Sequence, residues 1–495
     1  MNLQKSPLAG KFPRAAVLWT GATLFIGAVF ILASAPPAQA QSSGDAQRYG
    51  SIIQYVFDSI QRRYVEEIDP KTVFEGAMNG MFNALGDPYS SYLPESEMAD
   101  LNDTTRGSFG GVGLYITAGD LQGDGTMRYV EVAAPMEDTP GWRAGINPMD
   151  RIIMIDDEST EGLTMNEVLA RLRGTPGQPV KVLVRRGESL EFPVTIIREI
   201  IEVPTTKYAM IGDTGYLKLL TFTPMTVERA KEAVADFKSK KYKGLVLDLR
   251  NNYGGLLQSA VDICDLFLDS GVVVSTRSRL PSENTSYSAR SSTLVAPDIP
   301  LIVLINRGSA SASEIVAGAL KDRGRAYLVG ERSYGKGSVQ QVYPLGTVGF
   351  KLTTARYYTP SNVNIDKIGI PPDREVKYPD FTEEDTAALN NLLKTNRIPE
   401  YIKKNPKAGA QEIAAFAEVL HREFNLDAQI LRRLIRNEQI RTVIAPVYDL
   451  EYDIQLQEAI NILRGGSYPS LMRSTKTLKI LQEEAAKDEE FAQAS

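Results

Sequence analysis

The sequence predicts an α/β multidomain protein, and three patterns say so. From about 205 to 380, short apolar strands alternate with helical stretches. Both flanks, 46–103 and the segment beyond 381, read as helix. Between the N-terminal helices and the core lies a strand-rich insert at about 107–195 with a single helix. A chain of 495 residues allows two to four domains, and 43% hydrophobic with 23% charged residues permit a sizeable core.

Met1 to Arg14 carries Lys5, Lys11 and Arg14 without an acid, Ala15 to Ala35 is apolar or small nearly throughout, and Ala38-Gln-Ala40 follows. This is the layout of a secretory signal cut after Ala40, so residues 1–40 are expected to be removed and the protein exported to the periplasm. An uncleaved segment of the same length would anchor it there instead. No cysteine stands near the cut, which disfavours a lipoprotein. The mature chain has 52 basic and 61 acidic residues, net −9, which argues against nucleic acid as a partner. The single cysteine, Cys264, cannot form an internal disulfide and falls on an apolar face, where core packing is expected.

In the N-terminal region, 41–106, Ile52, Ile53, Val56, Phe57 and Ile60 recur at helical spacing, and a second helix runs from Pro70 to Ala84. Gly86-Asp-Pro-Tyr-Ser-Ser-Tyr-Leu93 then breaks the pattern with turn residues. The insert opens on Phe109-Gly-Gly-Val-Gly-Leu-Tyr-Ile116, a glycine loop running into a strand. It lacks the helix and spacing of a phosphate loop. Strands at 128–132 and 180–184 flank a helix from Thr164 to Arg173.

In the core, 196–380, the expected order is a strand at Thr214–Phe222, a helix at Val227–Lys238 and a buried strand at Gly244–Arg250. Asn251-Asn-Tyr-Gly-Gly255 closes that strand and opens another helix. Ile299–Ile305 and Lys351–Tyr358 are further strands. Beyond 381, Ile430, Leu434, Ile435, Leu456 and Ile460 suit a helical appendage packed on the core or on another subunit, where an oligomer or adaptor contact could lie.

Chemistry concentrates in Asn306-Arg-Gly-Ser-Ala-Ser-Ala-Ser-Glu314. It follows an apolar strand and precedes a helix, so a hydroxyl there sits beside free N–H groups at a helix N-terminus, where negative charge is stabilised. Ser311-x-x-Glu314 is also a capping box, a structural role that does not exclude a nucleophilic one. The base cannot easily be histidine, because the only one, His421, lies in a polar-faced helical segment near the C-terminus. A lysine desolvated enough to be neutral is the remaining choice, and Lys336 stands between Gly335 and Gly337 in a turn that can fold its amine inward. Ser333-Tyr-Gly-Lys336 offers a rival Ser-x-x-Lys pairing, but the glycines disfavour the helix it needs and its partner motifs are missing.

Gly308 to Asp322, followed by Gly335-Lys-Gly-Ser-Val-Gln340, resembles the signature of the C-terminal processing peptidases, also called tail-specific proteases. The resemblance implies Ser311 as nucleophile, Lys336 as general base and Gln340 as the residue orienting the lysine, with Asp322 at an acidic position beside the site. It further implies an oxyanion hole from the N–H of Ala312 and that of Gly254 or Gly255, and a core fold like the crotonases. In that family a helical N-terminal region carrying an Asp-Pro-x-Ser-Ser-Tyr-Leu segment can mediate dimerisation.

The insert resembles a PDZ domain of the bacterial protease type, departing from it at Gly141, where alanine is usual, and at Met149, where glycine is usual. PDZ domains add a peptide strand beside a loop whose N–H groups capture a terminal carboxylate. Here that loop is Gly110-Gly111-Val112-Gly113. Arg173 matches a position that couples the PDZ domain to the protease in some relatives, which favours a gating role over simple tethering.

The expected protein is thus an exported serine endopeptidase that cuts substrates bearing free, apolar C-termini, with no metal or other cofactor implied. A silent PDZ scaffold binding C-termini and a crotonase-like acyl hydrolase are the alternatives, and proteolysis of an unstructured protein separates the first reading from both.

Overall fold

A computed structural model describes residues 44–118, 128–187, 189–290, 293–378, 382–441 and 446–484. The expected signal, 1–40, lies outside the described residues. The chain divides into two compact units at Gly86/Asp87. In the first, α1 (Gly44–Arg63) and α2 (Pro70–Asn83) form as their spacing predicts. Asp69 caps α2 by accepting the Lys71 N–H, and Pro70 takes the first helical position. The apolar stripe of α1 stays on the surface, with Ile52, Ile53 and Val56 each about half exposed.

The second unit begins with a surprise for sequence reading. Asp87 makes the expected turn, but Ser91–Leu93 continues as strand β1 with Tyr92 and Leu93 buried, before α3 (Glu95–Arg106). The insert then opens on β2 (Ser108–Gly111). Its sheet holds β3 (Leu114–Ala118), β4 (Val130–Pro135), β5 (Arg151–Ile155) with the short β6 (Glu158–Ser159), β7 (Pro179–Arg186) and β8 (Leu190–Ile197), in the order β3-β4-β5-β7-β8. Two helices accompany it, α4 (Pro140–Arg143) and α5 (Met165–Leu172). Alternation places Val180, Val182 and Val184 against Val130, Ile152 and Val168 in a core of its own. Thr164 and Glu167 form a reciprocal capping box at the start of α5. β9 (Glu199–Glu202) returns to pair with β2, so the insert hangs on a two-stranded neck.

The core sheet runs β10 (Thr206–Ile211), β11 (Thr214–Leu219), β12 (Gly244–Asp248), β15 (Leu301–Ile305), β16 (Tyr327–Gly330) and β19 (Arg374–Glu375), parallel throughout except for β10. All residues of β12 and β15 are buried, as parallel strands covered on both faces must be. One face carries α6 (Thr226–Ser239), α7 (Leu257–Cys264) and α8 (Ala312–Asp322). Cys264 is fully buried there, and that burial pushes its thiol pKa up.

A second sheet, β1-β18-β13-β14, joins β13 (Val272–Ser278), β14 (Thr285–Ser288) and β18 (Val348–Tyr358), with β17 (Ser338–Leu345) paired to β18 as a hairpin. In the C-terminal region α9 (Glu383–Leu393), α10 (Arg397–Lys404), α11 (Ala410–Phe424) and α12 (Ala428–Arg441) pack on one another around Ile402, Leu420 and Ile435. The following α13 (Ile454–Arg464) belongs to the core instead. Its Leu456 and Ile460 cover the second face of the main sheet against Val246 and Ile302, and α14 (Tyr468–Ser474) follows beside it.

Candidate active site

Ser311 is the first residue upstream of α8 and sits at φ 56°, ψ −113°, a conformation that side chains rarely adopt. The surrounding serines explain why it stands apart. Ser309 Oγ donates to the Leu249 carbonyl and Ser313 Oγ to the Asn252 carbonyl, and both residues are fully buried. Their hydroxyls stitch the serine turn to the Asn251–Gly255 turn, while Ser311 stays partly exposed.

The glycine turn approaches from the other side. A Cβ on Gly254 would fall 2.8 Å from Ser311 Cβ and 3.0 Å from the Ala312 nitrogen, so only glycine fits beside the nucleophile candidate. The Gly254 N–H donates to Asn252 Oδ1 at 2.9 Å. Of the two glycines, Gly255 is therefore the one whose N–H has no partner among the described residues, as is also true of Ala312.

Lys336 comes to this place through Glu314. That carboxylate is fully buried and accepts four hydrogen bonds: Ser311 N–H at 2.9 Å, Lys336 N–H at 2.9 Å, Gly335 N–H at 2.7 Å and Ser333 Oγ at 2.6 Å. Burial raises its pKa, against the opposing pull of those donors. Tyr357 on β18 completes the clamp from the opposite side, its hydroxyl donating to the carbonyls of Ser311, at 3.3 Å, and of Lys336. The backbones of the two residues are thus tied together through both their N–H and C=O groups. Gly335 turns at φ +91° against the Ile368–Gly369 backbone, which leaves no room for a side chain.

The Lys336 amine lies 4.8 Å from the centroid of the Tyr89 ring. Its pKa is lowered by burial and by the Lys351 charge, while Asp87 and Glu314 pull the other way. Tyr89 and Asp87 come from the segment that looked like a plain turn. Asp87 accepts Tyr89 N–H and Ser90 Oγ, and Ser90 Oγ in turn accepts the Thr353 N–H of β18.

Other expected residues fall in different places. Gln340 sits in β17 with its amide nitrogen donating to Ser338 Oγ and Thr353 Oγ1. Asp322 is at the opposite end of α8 from Ser311, where it accepts Ser361 N–H and Oγ and the Leu478 N–H, an architectural role away from the serine. Ser333 is buried between Glu314 and the Ile370 N–H. His421 lies in α11, its Nδ1 at 2.6 Å from the Leu426 carbonyl oxygen.

In the insert, Gly110 and Gly111 belong to β2 and pair with β9, which corrects the expected glycine loop; the turn proper is Val112-Gly113. Gly113, at φ +75°, accepts Met136 N–H and Thr139 Oγ1 with its carbonyl. β3 lies at the edge of its sheet, the place where an added peptide strand would pair. Met149, where glycine is usual, keeps a glycine-like φ of 70°. Arg173 pairs with Asp100 and Asp103 of α3 and lies 5.0 Å over the Phe109 ring. In turn α3 sets Met98 against Gly349 of β18.

At the end of β12 the fully buried Asp248 holds the Arg250 guanidinium through two hydrogen bonds and its backbone N–H through a third, and Asp453 at the start of α13 holds the guanidinium through two more. The Asn251–Gly255 turn is thereby fastened to the C-terminal region.

Residues 213–376 match peptidase family S41, residues 131–186 the PDZ domain, and residues 23–97 the N-terminal domain of the activating protease CtpB. The carboxy-terminal-processing protease of Bartonella bacilliformis is 41% identical over 365 residues, 72% of this chain and 82% of that protein. The carboxy-terminal processing protease CtpB of Bacillus subtilis is 32% identical over 379 residues, 75% of this chain and 76% of that protein. A solved photosystem II D1 C-terminal processing protease is 29% identical, with 66% of this chain and 92% of that one covered at a TM-score of 0.40.

Proposed function

Because the chain belongs to peptidase family S41 and is a carboxy-terminal processing serine protease with a PDZ domain, we propose that Ser311 and Lys336 form its catalytic dyad. The observation that carries this reading is the double tie between their backbones, Glu314 on the N–H side and Tyr357 on the carbonyl side. The neutral Lys336 amine takes the proton of Ser311 as its Oγ attacks the scissile carbonyl carbon. The oxyanion is received by the N–H groups of Ala312 and Gly255. The resulting ammonium returns the proton to the leaving amine, and water, activated by the amine in the same way, releases the acyl group from Ser311. Gln340, its amide nitrogen fixed by Ser338 Oγ and Thr353 Oγ1, is the residue that orients the lysine amine.

The substrates are proteins with free, apolar C-termini, captured at Val112-Gly113 as a strand added to β3. Arg173 reports that event through α3 and Met98 to β18, a reading its pairs with Asp100 and Asp103 support. Lys5, Lys11, Arg14 and Ala38-Gln-Ala40 support export to the periplasm. The helical ends are the surfaces for a second copy or an adaptor. The deciding experiment is digestion of an unstructured protein with a free apolar tail. Wild type is expected to cleave it and Ser311→Ala and Lys336→Ala to leave it intact; a bound but uncut substrate with the wild-type enzyme would identify a scaffold instead.

A further inference from the structure

Lys336 needs two states to act as a base, a neutral amine that takes the serine proton and an ammonium that gives it up. The structure provides a seat for the second. The Lys336 amine sits 4.8 Å from the Tyr89 ring centroid, within the range where an aromatic face attracts a cation. Asp87, two residues earlier, adds a negative charge felt by the same amine. Both lie outside the two catalytic segments, 308–322 and 335–340, in the Asp-Pro-x-Ser-Ser-Tyr-Leu segment some twenty positions before the PDZ insert.

The seat is built rather than incidental. Asp87 accepts Tyr89 N–H at 3.0 Å and Ser90 Oγ at 2.6 Å, which fixes the turn. Ser90 Oγ accepts the Thr353 N–H, and β1 zips onto β18 with Ser91 opposite Lys351 and Leu93 opposite Gly349. Tyr334 beside the Tyr89 hydroxyl pushes its pKa up to about 12, so the ring stays neutral while it faces the cation.

We infer that Tyr89 and Asp87 are positioning residues that hold the protonated amine of Lys336 beside Ser311, and so set from outside the core the pH at which the protease switches on. The inference rests on Lys336 being the base. The other charged groups acting on this amine are Glu314 on α8 and Lys351 on β18; Tyr334, on the lysine's own loop, and Asp366, on the loop after β18, act on Tyr89. Burial and Lys351 drive the proton off, whereas Tyr89, Asp87 and Glu314 keep it on. The balance matters because a base too readily neutral would be too weak to take the serine proton.

The test is the pH profile of kcat/KM in the full chain for Tyr89→Leu, Tyr89→Phe and Tyr89→Trp, with Lys336→Ala alongside. Leu removes the aromatic face and is expected to shift the acid limb down by about half to one pH unit. Phe keeps the face and is expected to superpose on wild type; Trp, the strongest cation-binding ring, is expected to shift the limb up. A role confined to packing would lower activity at every pH and leave the limb where it is. Superposed acid limbs for Leu, Phe, Trp and wild type overturn the inference while leaving the dyad intact. Should Leu fail to fold, the opposite displacement in Trp still decides it. Activity surviving in Lys336→Ala would instead overturn the reading beneath it.

Discussion

Ser311 and Lys336 share a single acceptor: the backbone N–H of each lies 2.9 Å from the same oxygen, Oε2 of Glu314. Glu314 is three residues from the serine along the helix and 22 from the lysine, so one carboxylate converts a local cap into a link between two segments. Glu314→Gln puts amide hydrogens where donors already converge, and each orphaned buried donor costs about 1–3 kcal/mol. The variant is expected to melt several degrees lower and to lose about tenfold or more in kcat with KM little changed. Thermal melts and steady-state kinetics check both, and an unaltered kcat would reduce Glu314 to a helix cap.

Ser311→Ala and Lys336→Ala are each expected to abolish cleavage, with the double variant no worse than either, because members of one catalytic unit do not act additively. Ser333→Ala should lower stability by breaking its bonds to Glu314 and the Ile370 N–H while leaving measurable turnover. Cleavage assays on the purified variants test the set. Turnover in Ser311→Ala but none in Ser333→Ala would transfer the nucleophile.

Burial, then Lys351, holds the Lys336 amine below the usual lysine range, and the base works deprotonated. Activity is therefore expected to climb with pH through that lowered value. Lys351→Gln removes a charge that drives the proton off, so the acid limb should move to higher pH. The same shift has a stability signature. Between the lowered folded pKa and about 10.4 the unfolded chain holds more protons than the native one, so stability rises with pH across that window. Lys336→Met is expected to remove that rise, measured by denaturant titration at several pH values.

Burial alone would raise Asp248, but the charge and hydrogen bonds of Arg250 outweigh it and keep the carboxyl below the ordinary range. Its stabilisation is present above the unfolded value of about 4 and is lost as pH falls through the lower folded value. Asp453→Ala leaves two of the five N–H bonds of the Arg250 guanidinium unanswered, the others staying on Asp248 and Gln455, and removes the bond to the Leu456 N–H that caps α13. It is expected to cost about 1–3 kcal/mol. Cleavage should fall with it, because Arg250 immediately precedes the turn carrying Gly254 and Gly255. Normal melting and normal turnover in this variant would show that the C-terminal region does not brace the site.

Amidating a substrate's C-terminus removes a charge-assisted anchor worth about 1.5–3 kcal/mol, or roughly ten- to a hundredfold in binding. The loss is expected in KM for long substrates and should shrink for short peptides that reach Ser311 unaided. If the PDZ domain gates the site, Arg173→Ala should change kcat as well, and equal kinetics for free and amidated substrates would make the domain a spacer.

What the sequence determined by itself is the set of features written within a few residues of one another. The strand at 180–184, the helix beginning at Thr164, the wholly apolar Leu301–Ile305 strand and the serine turn before α8 are all legible from local spacing. Counting was enough to turn the search for a base from the one histidine to a lysine between glycines.

Tertiary structure decided what depends on which distant strands pair. β1 on β18 brings Tyr89 to Lys336, a relationship hidden in a stretch that reads as a turn. Asp322, which the family resemblance puts at an acidic position beside the site, is a helix length from Ser311, because eleven residues of α-helix span about 16 Å. The Asn252 side chain, by engaging the Gly254 N–H, distinguishes two adjacent glycines that sequence left equivalent. Arg250 and Asp453 meet across some two hundred residues. Short-range patterns are dictated by backbone sterics and caps. Convergence of a site is set by sheet register and burial, whose partners no local window contains.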